Sequence, residues 1–182
     1  MRVISGIYRG RVLKSPPDPK TRPTSDRLRE TLFNILAPGI GAETRFLDLC
    51  AGTGAIGIEA LSRGAAFTTF VDRSKKACAL IEENLDKLGI PESQTNVLNL
   101  AAENFTGREH KIGWDLVFFD PPYESDYGLV IHDFGSRDLL RNGGTLVVEH
   151  HAKKHMSEIV GSLRRWRVLK QGETTLSFYE NA

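Results

Sequence analysis

Residues 46–57 read Phe46-Leu47-Asp48-Leu49-Cys50-Ala51-Gly52-Thr53-Gly54-Ala55-Ile56-Gly57. The apolar start predicts a β-strand, the glycines predict a tight turn, and the residues after them predict the start of a helix. Backbone N–H groups at such a turn can bind a ligand that approaches the main chain closely. The G-x-G-x-x-G spacing is also found in dinucleotide-binding proteins. The glycines alone therefore do not identify the ligand, and the charges of neighbouring residues have to be considered.

Asp48 is the charge that bears on this question, because it lies four residues before Gly52. A carboxylate at this place would repel the pyrophosphate of a dinucleotide and attract a cation. S-adenosylmethionine carries a cationic sulfonium and an amino group. The turn therefore predicts an S-adenosylmethionine site that includes Asp48, Ala51, Gly52 and Gly54.

Strands and helices alternate from residue 45 onward. The expected strands cover Phe46-Leu47 and residues 67–71, 95–100, 116–119 and 145–148, and the expected helices cover 55–63, 74–88 and 127–140. This order predicts an α/β fold with a mostly parallel sheet and helices on both faces. Two more strands, 166–169 and 174–179, flank Gln171-Gly172, so we expect seven strands ending in an antiparallel hairpin.

A small hairpin and a helix are expected before this sheet. Residues 1–14 alternate in the manner of a hairpin with a turn near Gly6, and residues 15–23 are rich in proline. Thr24 or Ser25 is a suitable N-cap for a helix that Pro38-Gly39 ends.

Charge is distributed unevenly over the 182 residues. The chain has a net charge of +1, but residues 1–30 hold eight Arg or Lys against three Asp or Glu, which leaves this part at +5 and the remainder at −4. Because neutralising phosphates supplies most sequence-independent affinity for nucleic acids, the basic segment suits a polyanionic partner. A solvated face is the alternative. The candidate RNA-binding residues are Arg9, Arg11, Arg22, Arg27 and Arg29.

Cysteine and histidine usage indicates no metal site. Cys50 and Cys78 lack metal-ligand spacing. Glu149-His150-His151 after a strand could suggest a metal or acid–base role, but it has no spaced carboxylate or cysteine partner, so we expect solvated or structural histidines. There is no secretory leader, so we expect a reduced, cytoplasmic protein. The apolar stretches are too short to span a membrane.

Acidic residues also follow the second and third strands. Asp72 stands twenty positions after Gly52, where a carboxylate can accept both ribose hydroxyls of an adenosine ligand, with Arg73 beside it. An N-cap for the helix beginning near Ser74 is the alternative role of Asp72. After the third strand, the Ala102 N–H could bond the adenine ring, and Glu103 either joins the cofactor site or begins a helix.

The tetrapeptide Asp120-Pro121-Pro122-Tyr123 follows the apolar run of residues 116–119. The lone pair of an exocyclic base amine is delocalised into the ring, so the amine needs hydrogen-bond acceptors on its N–H groups before it can attack. Asp120 and the Pro121 carbonyl can accept those bonds, while Tyr123 stacks on a flipped base. An ordinary turn after a strand is the alternative.

In this order, the glycine turn, the acidic residue on the second strand and Asp-Pro-Pro-Tyr on the fourth resemble the class I methyltransferases with their Rossmann-like fold. Residues 2–10, followed by Arg22-Pro23-Thr24-Ser25-Asp26-Arg27-Leu28-Arg29-Glu30-Thr31-Leu32-Phe33-Asn34, resemble the RsmD family of 16S rRNA guanine-N2 methyltransferases. The last residues, 172–179, are similar to the final hairpin of that family. One departure is Ala101, where many such enzymes have an acidic residue that bonds adenine.

The resemblance implies methyl transfer from S-adenosylmethionine to the N2 amine of one guanine in 16S rRNA, within an assembled or partly assembled 30S subunit. From the length of 182 residues and the basic N-terminal segment, we expect a monomeric, single-domain enzyme with a basic RNA-binding extension over residues 1–40 and a catalytic core over 41–182. Asp48, Gly52 and Gly54 would hold the cofactor, Asp72 its ribose, and residues 120–123 the base. The alternatives are methylation of adenine N6 or of a protein amide and, from other classes, a nicotinamide-dependent oxidoreductase or a non-catalytic RNA-binding module.

Overall fold

The computed structural model describes residues 1–16, 26–122 and 125–181. Arg22, Tyr123 and both candidate caps, Thr24 and Ser25, lie outside these ranges. The helices of the described part are α1 (Asp26–Leu36), α2 (Ala55–Ser62), α3 (Lys75–Leu88), α4 (Ala102–Thr106) and α5 (Gly128–Ser136). Its strands are β1 (Arg45–Leu49), β2 (Phe67–Asp72), β3 (Thr95–Asn99), β4 (Trp114–Phe119), β5 (Leu140–His151), β6 (Ile159–Val160), β7 (Leu163–Gln171) and β8 (Thr174–Asn181).

All eight of these strands form a single sheet in the order β3-β2-β1-β4-β5-β8-β7-β6. The pairs from β3 to β5 are parallel, and β8 pairs antiparallel with both β5 and β7. The strand order reverses between β1 and β4, because the chain runs from β1 outward to β3 and then returns to β4. In such sheets ligands bind at the carboxyl ends of the strands beside this reversal. The predicted α/β architecture with an antiparallel C-terminal hairpin is confirmed.

Helices cover both faces of the sheet because neighbouring residues on a strand point to opposite sides. On one face, α1 packs Leu32 and Phe33 against Phe118 of β4 and Val147 of β5. Helices α2 and α3 lie on the same face, against Phe70 of β2. The other face carries α4 and α5, which pack against the alternate residues of β4 and β5. The sheet is thus buried on both sides, as its long apolar strands require.

Several boundaries differ from the prediction. The sheet has an eighth strand, since Ile159 and Val160 pair with the start of β7. Residues 1–14 form no hairpin strands but a loop with one antiparallel bridge, between Arg2 and Val12. The fifth helix ends at Ser136 and not near 140, because the backbone of Arg137 is extended (φ −128°, ψ 157°) and leads into β5.

The N-terminal loop is fastened to α2 and α3 by hydrogen bonds from buried polar side chains. The Glu59 carboxylate accepts the N–H groups of Ile4 (2.8 Å) and Ser5 (3.0 Å). Asn84 accepts the N–H of Lys14 at 2.7 Å and donates to its carbonyl at 3.1 Å. Because Glu59 and Asn84 are fully buried, these bonds are shielded from water and fix the loop beside the start of α2.

Helix α2 lies close to β2 because Gly57 has no side chain. A Cβ there would overlap the Phe70 ring and come within 2.8 Å of Thr68 Cγ2. We therefore predict that Gly57→Ala lowers the free energy of unfolding by about 1–3 kcal/mol, through overpacking. Chemical denaturation followed by circular dichroism measures this. Gly41→Ala is the matched control, because Gly41 is exposed and its Cβ would contact nothing. Equal stabilities of the two variants would contradict the packing argument.

Candidate active site

A cavity of about 2040 Å³ opens at the carboxyl ends of the strands, beside the reversal of strand order. The glycine turn, the ends of β4 and β5, the start of α4 and the turn between β7 and β8 form its walls. The N-terminal loop and α1 complete them, through Met1, Lys14, Leu28 and Arg29. A smaller cavity of about 420 Å³ lies at the other edge of the sheet, lined by Arg45, Phe67 and Trp114, and contains none of the predicted site residues.

The glycine turn reverses the chain between β1 and α2 with three residues in the left-handed region. These are Cys50 (φ 63°), Gly52 (φ 55°) and Gly54 (φ 74°). Cys50 is the one non-glycine residue of the described chain with a positive φ. Nothing lies within 4 Å of the position that a Gly52 Cβ would take, so a ligand can approach its backbone. Such strain is common at ligand sites.

Asp72 at the end of β2 braces this turn. One carboxylate oxygen accepts the Gly52 N–H at 2.9 Å, and the other accepts the Ser74 N–H at 2.8 Å. The cap of α3 is Ser74, whose hydroxyl accepts the Ala77 N–H, so the alternative role of Asp72 as the cap is wrong. Asp72 lines the cavity, and each carboxylate oxygen retains a lone pair for a ribose hydroxyl. Arg73, also predicted for this site, is exposed at its rim.

Asp48 lies beneath the turn, with only 2% of its surface exposed. Its Oδ2 accepts the Gly57 N–H of α2 at 2.9 Å. Burial raises the pKa of Asp48 to about 8, more than the Gly57 hydrogen bond lowers it, and the nearby Asp72 charge adds to the increase. A cation bound in the cavity would stabilise the ionised form of this carboxyl.

Asp120 and Glu149 place two more carboxylates beside Asp48. In register, Phe118 of β4 pairs with Asp48 on one side and with Val147 of β5 on the other, so Asp120 and Glu149 lie on the same sheet face as Asp48. Burial raises the pKa of Asp120 well above its ordinary value, and the Glu149 and Asp48 charges raise it further. Glu149 was not among the predicted site residues, because the sequence placed it with His150 and His151 in a structural role. Its signal was its place directly after the apolar end of β5, at the edge where ligands bind.

The Cys50 thiol lies close enough to four carboxyl groups of the cavity for all of them to affect its pKa. Its pKa rises to about 12, first through burial and then through the carboxylates of Asp72, Asp120, Asp48 and Glu103. A thiol held neutral in this way is a poor nucleophile. The cavity is lined by acidic groups and is electronegative where they are ionised, which suits the cationic methionine part of S-adenosylmethionine and disfavours a pyrophosphate.

The third strand leads into α4, whose first residue is Ala102. Ala102 and Glu103 both line the cavity, with Ala102 buried and Glu103 exposed. The Ala102 N–H has no partner within its own helix, as is general for a first helical residue, and remains available to an adenine nitrogen. The residues present thus fit S-adenosylmethionine, with Asp72 for the ribose and the start of α4 for the base.

The Asp120-Pro121-Pro122 segment leaves β4 at the cavity. The Asp120 N–H donates to the Leu49 carbonyl at 3.2 Å, which holds the segment beside β1. Pro121 is buried and Pro122 is exposed, and both line the cavity together with Asp120. The structure brings these three predicted residues next to the cofactor residues, whereas Tyr123 lies outside the described chain.

The prediction that Arg29 binds RNA is wrong. Its side chain is fully buried, and its Nη2 donates to the Arg2 carbonyl and to Asp26 Oδ1, both at 2.8 Å. Position 29 shares a helix face with Leu32, Phe33 and Leu36, a spacing that the sequence already contained. Arg29 therefore cannot present its charge to RNA phosphates. Arg9, Arg11 and Arg27 are exposed, and Arg22 lies outside the described chain.

His150 has a structural place in β5. Its Nε2 lies 2.9 Å from the Ser177 hydroxyl of β8, and burial lowers its pKa. Among the described residues, no cluster of three His, Cys, Asp or Glu side chains could hold a metal ion. None of the described helices is long and apolar enough to cross a membrane.

The family model described as Conserved hypothetical protein 95 matches residues 1–180. The chain belongs to this family, the RsmD family. It is similar to the ribosomal RNA small subunit methyltransferase D of Haemophilus influenzae, with 32% identity over 98% of this chain and 91% of that one. YlbH of Bacillus subtilis, a candidate rRNA methyltransferase, is 36% identical over 99% of this chain and 98% of its own. The solved structure of yhhF from Escherichia coli gives a TM-score of 0.88 at 31% identity, covering 100% of this chain and 97% of that one.

Membership of the RsmD family confirms two predictions from the sequence. The protein is an enzyme, a methyltransferase, and its methyl donor is S-adenosylmethionine. The family also agrees with the geometry, because the glycine turn, Asp72 and Asp120 are together in one electronegative cavity.

The raised pKa of Asp48 predicts a pH-dependent stability. The folded chain retains the proton up to about pH 8, whereas the unfolded chain loses it near 3.8, so the free energy of unfolding should fall between these values as the pH rises. Asn cannot titrate and can still accept the Gly57 bond. Relative to wild type, Asp48→Asn should gain at least about 1 kcal/mol between pH 5 and pH 8, measured by urea unfolding. Asp138→Asn, at an exposed site, is the control. A pH-independent difference would contradict the assignment.

Proposed function

We propose that this protein transfers a methyl group from S-adenosylmethionine to the N2 amine of a specific guanine in small-subunit ribosomal RNA. The observation that carries the proposal is the position of Asp120 and Pro121 at the carboxyl end of β4, beside Asp48 and the glycine turn. The names of its relatives, which describe small-subunit rRNA methyltransferases, support the RNA substrate.

Asp120 and the Pro121 carbonyl position the amine. Each accepts one N–H of the guanine amine, which withdraws the nitrogen lone pair from the ring and directs it toward the cofactor. Positioning matters more than early proton removal, because the amine becomes strongly acidic only after methylation. The cofactor supplies an electrophilic methyl group on a sulfonium. Tyr123 is proposed to stack on the flipped base, as the sequence pattern indicates.

The charges of the cavity separate this proposal from the alternatives. Four carboxylates around Cys50 disfavour a nicotinamide dinucleotide, whose pyrophosphate they would repel. The glycine turn, Asp72, Asp120 and Pro121 line one cavity, which argues against a non-catalytic RNA-binding module. Adenine N6 or a protein amide could be held by the same two acceptors, so the relatives and not the geometry favour guanine.

The setting of the reaction belongs to the same proposal. The substrate would be an assembled or partly assembled 30S subunit, the enzyme would act as a cytoplasmic monomer, and residues 1–40 would serve as an RNA-binding extension to a core of 41–182. The exposed Arg9, Arg11 and Arg27 support a role in binding phosphates. The extension also contributes Met1, Lys14 and Leu28 to the cavity wall, so it would position RNA and shape the catalytic site together.

Cofactor binding tests the role of Asp72. Asp72→Ala removes the acceptor for the ribose hydroxyls and should weaken S-adenosylmethionine binding about 10-fold or more, measured by isothermal titration calorimetry. Asp86→Ala, an exposed aspartate on α3, should bind like wild type. If wild type bound NAD more tightly than S-adenosylmethionine, the methyltransferase assignment would be overturned.

The transfer step tests Asp120. With 30S subunits from a strain that lacks the gene and saturating cofactor, Asp120→Ala should reduce single-turnover methyl transfer about 100-fold or more, because the amine loses its positioning acceptor. Its cofactor affinity should stay close to that of wild type, and Asp138→Ala should react normally.

Nucleoside analysis of the same reaction identifies the product. We expect N2-methylguanosine in digests of the 16S rRNA. Methylated adenosine, or methylated ribosomal protein without methylated RNA, would favour one of the alternative substrates. Near-normal transfer by Asp120→Ala would remove the carboxylate from the mechanism.

A further inference from the structure

A second basic segment lies far along the chain from the N-terminal one. Residues 152–171 contain six Lys or Arg against one acidic residue, Glu158, which gives +5. Outside this segment and residues 1–30, the chain carries −9. The positive charge of this near-neutral protein is therefore concentrated in two places, and the second was not among the candidate RNA-binding residues.

Strand β7 supplies nine of the twenty residues of this segment and exposes an aromatic side chain beside basic ones. Trp166 is 43% exposed, and Arg164 and Arg167 are exposed as well. We call these three residues the β7 surface. Lys170 is also exposed, but it pairs with Thr175 and therefore points to the opposite face of the sheet. The pairing of β7 with β8 is irregular between Arg165 and Arg167, and Trp166 lies at this irregularity. The Trp166 ring packs on the Phe178 ring of β8, with 5.5 Å between the centroids. Phe178 therefore holds the indole in position while part of the indole remains exposed to solvent.

The basic side chains of the β7 surface form few ion pairs within the protein. Arg165, the half-buried member of the strand, bonds Glu158 Oε1 at 3.3 Å and the Met156 carbonyl at 2.8 Å. In contrast, Arg164 and Arg167 form no ion pair with a described residue. Arg164 is opposite Glu180 in the strand register, so its charge is partly balanced. Arg167 is thus available to an anionic partner, and Arg164 adds positive charge on the same face.

The β7 surface leads to the active-site cavity. Gln171, Gly172 and Thr174, at the turn after β7, line that cavity. Lys170 is next to this turn, and Trp166 lies about 17 Å from Gln171 along the strand, from the rise of an extended chain. Phe178 pairs with Val147, so Trp166 lies on the sheet face that carries α1. The exposed Arg27 of α1 and Trp166 of β7 therefore belong to the same side of the molecule.

We propose that the β7 surface binds ribosomal RNA next to the target nucleotide, with a base stacked on Trp166 and phosphates on Arg164 and Arg167, which share its face of the sheet. This inference rests on the proposed function, since it concerns the same RNA. An exposed indole beside unpaired cations is the combination that binds single-stranded or looped RNA: every base has a flat face, and every nucleotide carries a phosphate. An acidic protein segment would use the cations but would gain little from the indole.

Methylation kinetics test the proposal with three variants. With 30S subunits from a strain lacking the gene, Trp166→Ala and the double variant Arg164→Gln/Arg167→Gln should each raise KM for subunits about 5-fold or more, because stacking and phosphate contacts contribute to binding. Trp166→Phe, which keeps an aromatic face, should stay within about 2-fold of wild type. The affinity for S-adenosylmethionine should not change in any of them.

A matched control removes two exposed cations elsewhere. Arg108→Gln/Lys111→Gln changes residues at the opposite edge of the sheet, beside the smaller cavity, and should leave KM unchanged. With a naked 16S rRNA fragment, the salt dependence of affinity should become shallower for Arg164→Gln/Arg167→Gln and not for the control. If the fragment bound both double variants equally while only intact subunits discriminated them, the surface would contact a ribosomal protein, which overturns the proposal.

Fluorescence reports the stacking directly, because the chain has two tryptophans and only Trp166 is exposed; Trp114 is 3% exposed. Adding the rRNA fragment should quench wild type and leave Trp166→Phe nearly unquenched. Equal quenching of the two proteins would overturn stacking on Trp166.

The outcomes separate the two proposals. Wild-type protein that fails to methylate rRNA refutes the proposed function, whereas normal methylation by wild type and by every β7 variant refutes only this inference.

Discussion

The hydrogen bond from the Gly57 N–H to the buried Asp48 carboxylate is the interaction around which the active site is arranged. It joins Asp48 of β1 to Gly57, the third residue of α2, across the glycine turn. The bond needs the main chain of α2 near the sheet, which is possible because Gly57 leaves room for the Phe70 ring. Asp72 then fixes the middle of the turn by accepting the Gly52 N–H. Two carboxylates thus hold the backbone that receives the cofactor.

This arrangement has a cost, because carboxylates are placed together where water is scarce. Asp48, Asp120 and Glu149 lie on one face of neighbouring strands. Burial raises the pKa values of Asp48 and Asp120, with a further increase from the Asp72 charge for Asp48 and from the Glu149 and Asp48 charges for Asp120. A cationic ligand relieves that repulsion, so the same charges that strain the free protein favour binding of the sulfonium. The same buried carboxyl groups therefore destabilise the free protein locally and select a cationic cofactor.

The sequence was most informative where one local rule determines the structure. The glycine turn and Asp72 followed from strand ends and turn residues, because the carboxyl ends of parallel strands always meet at one edge. It was less informative where neighbours distant in the chain decide. Arg29 was predicted to bind RNA, but it lies on the buried face of α1 and donates a hydrogen bond to the Arg2 carbonyl. Glu149 lies beside Asp120 only because β5 pairs with β4. Ile159–Val160 is too short to show periodicity.

The distribution of charge explains how a polyanion could use an acidic cavity. Carboxylates at the strand ends repel phosphates, so the ribose-phosphate backbone of an RNA would be kept out of the cavity. The exposed arginines of the N-terminal loop and, as proposed, the β7 surface would hold that backbone outside, where the surface is positive. A flipped base is uncharged and carries N–H groups that the carboxylates can accept. Only the base would therefore enter, and the electrostatic field that binds the cofactor would also select which part of the RNA reaches it.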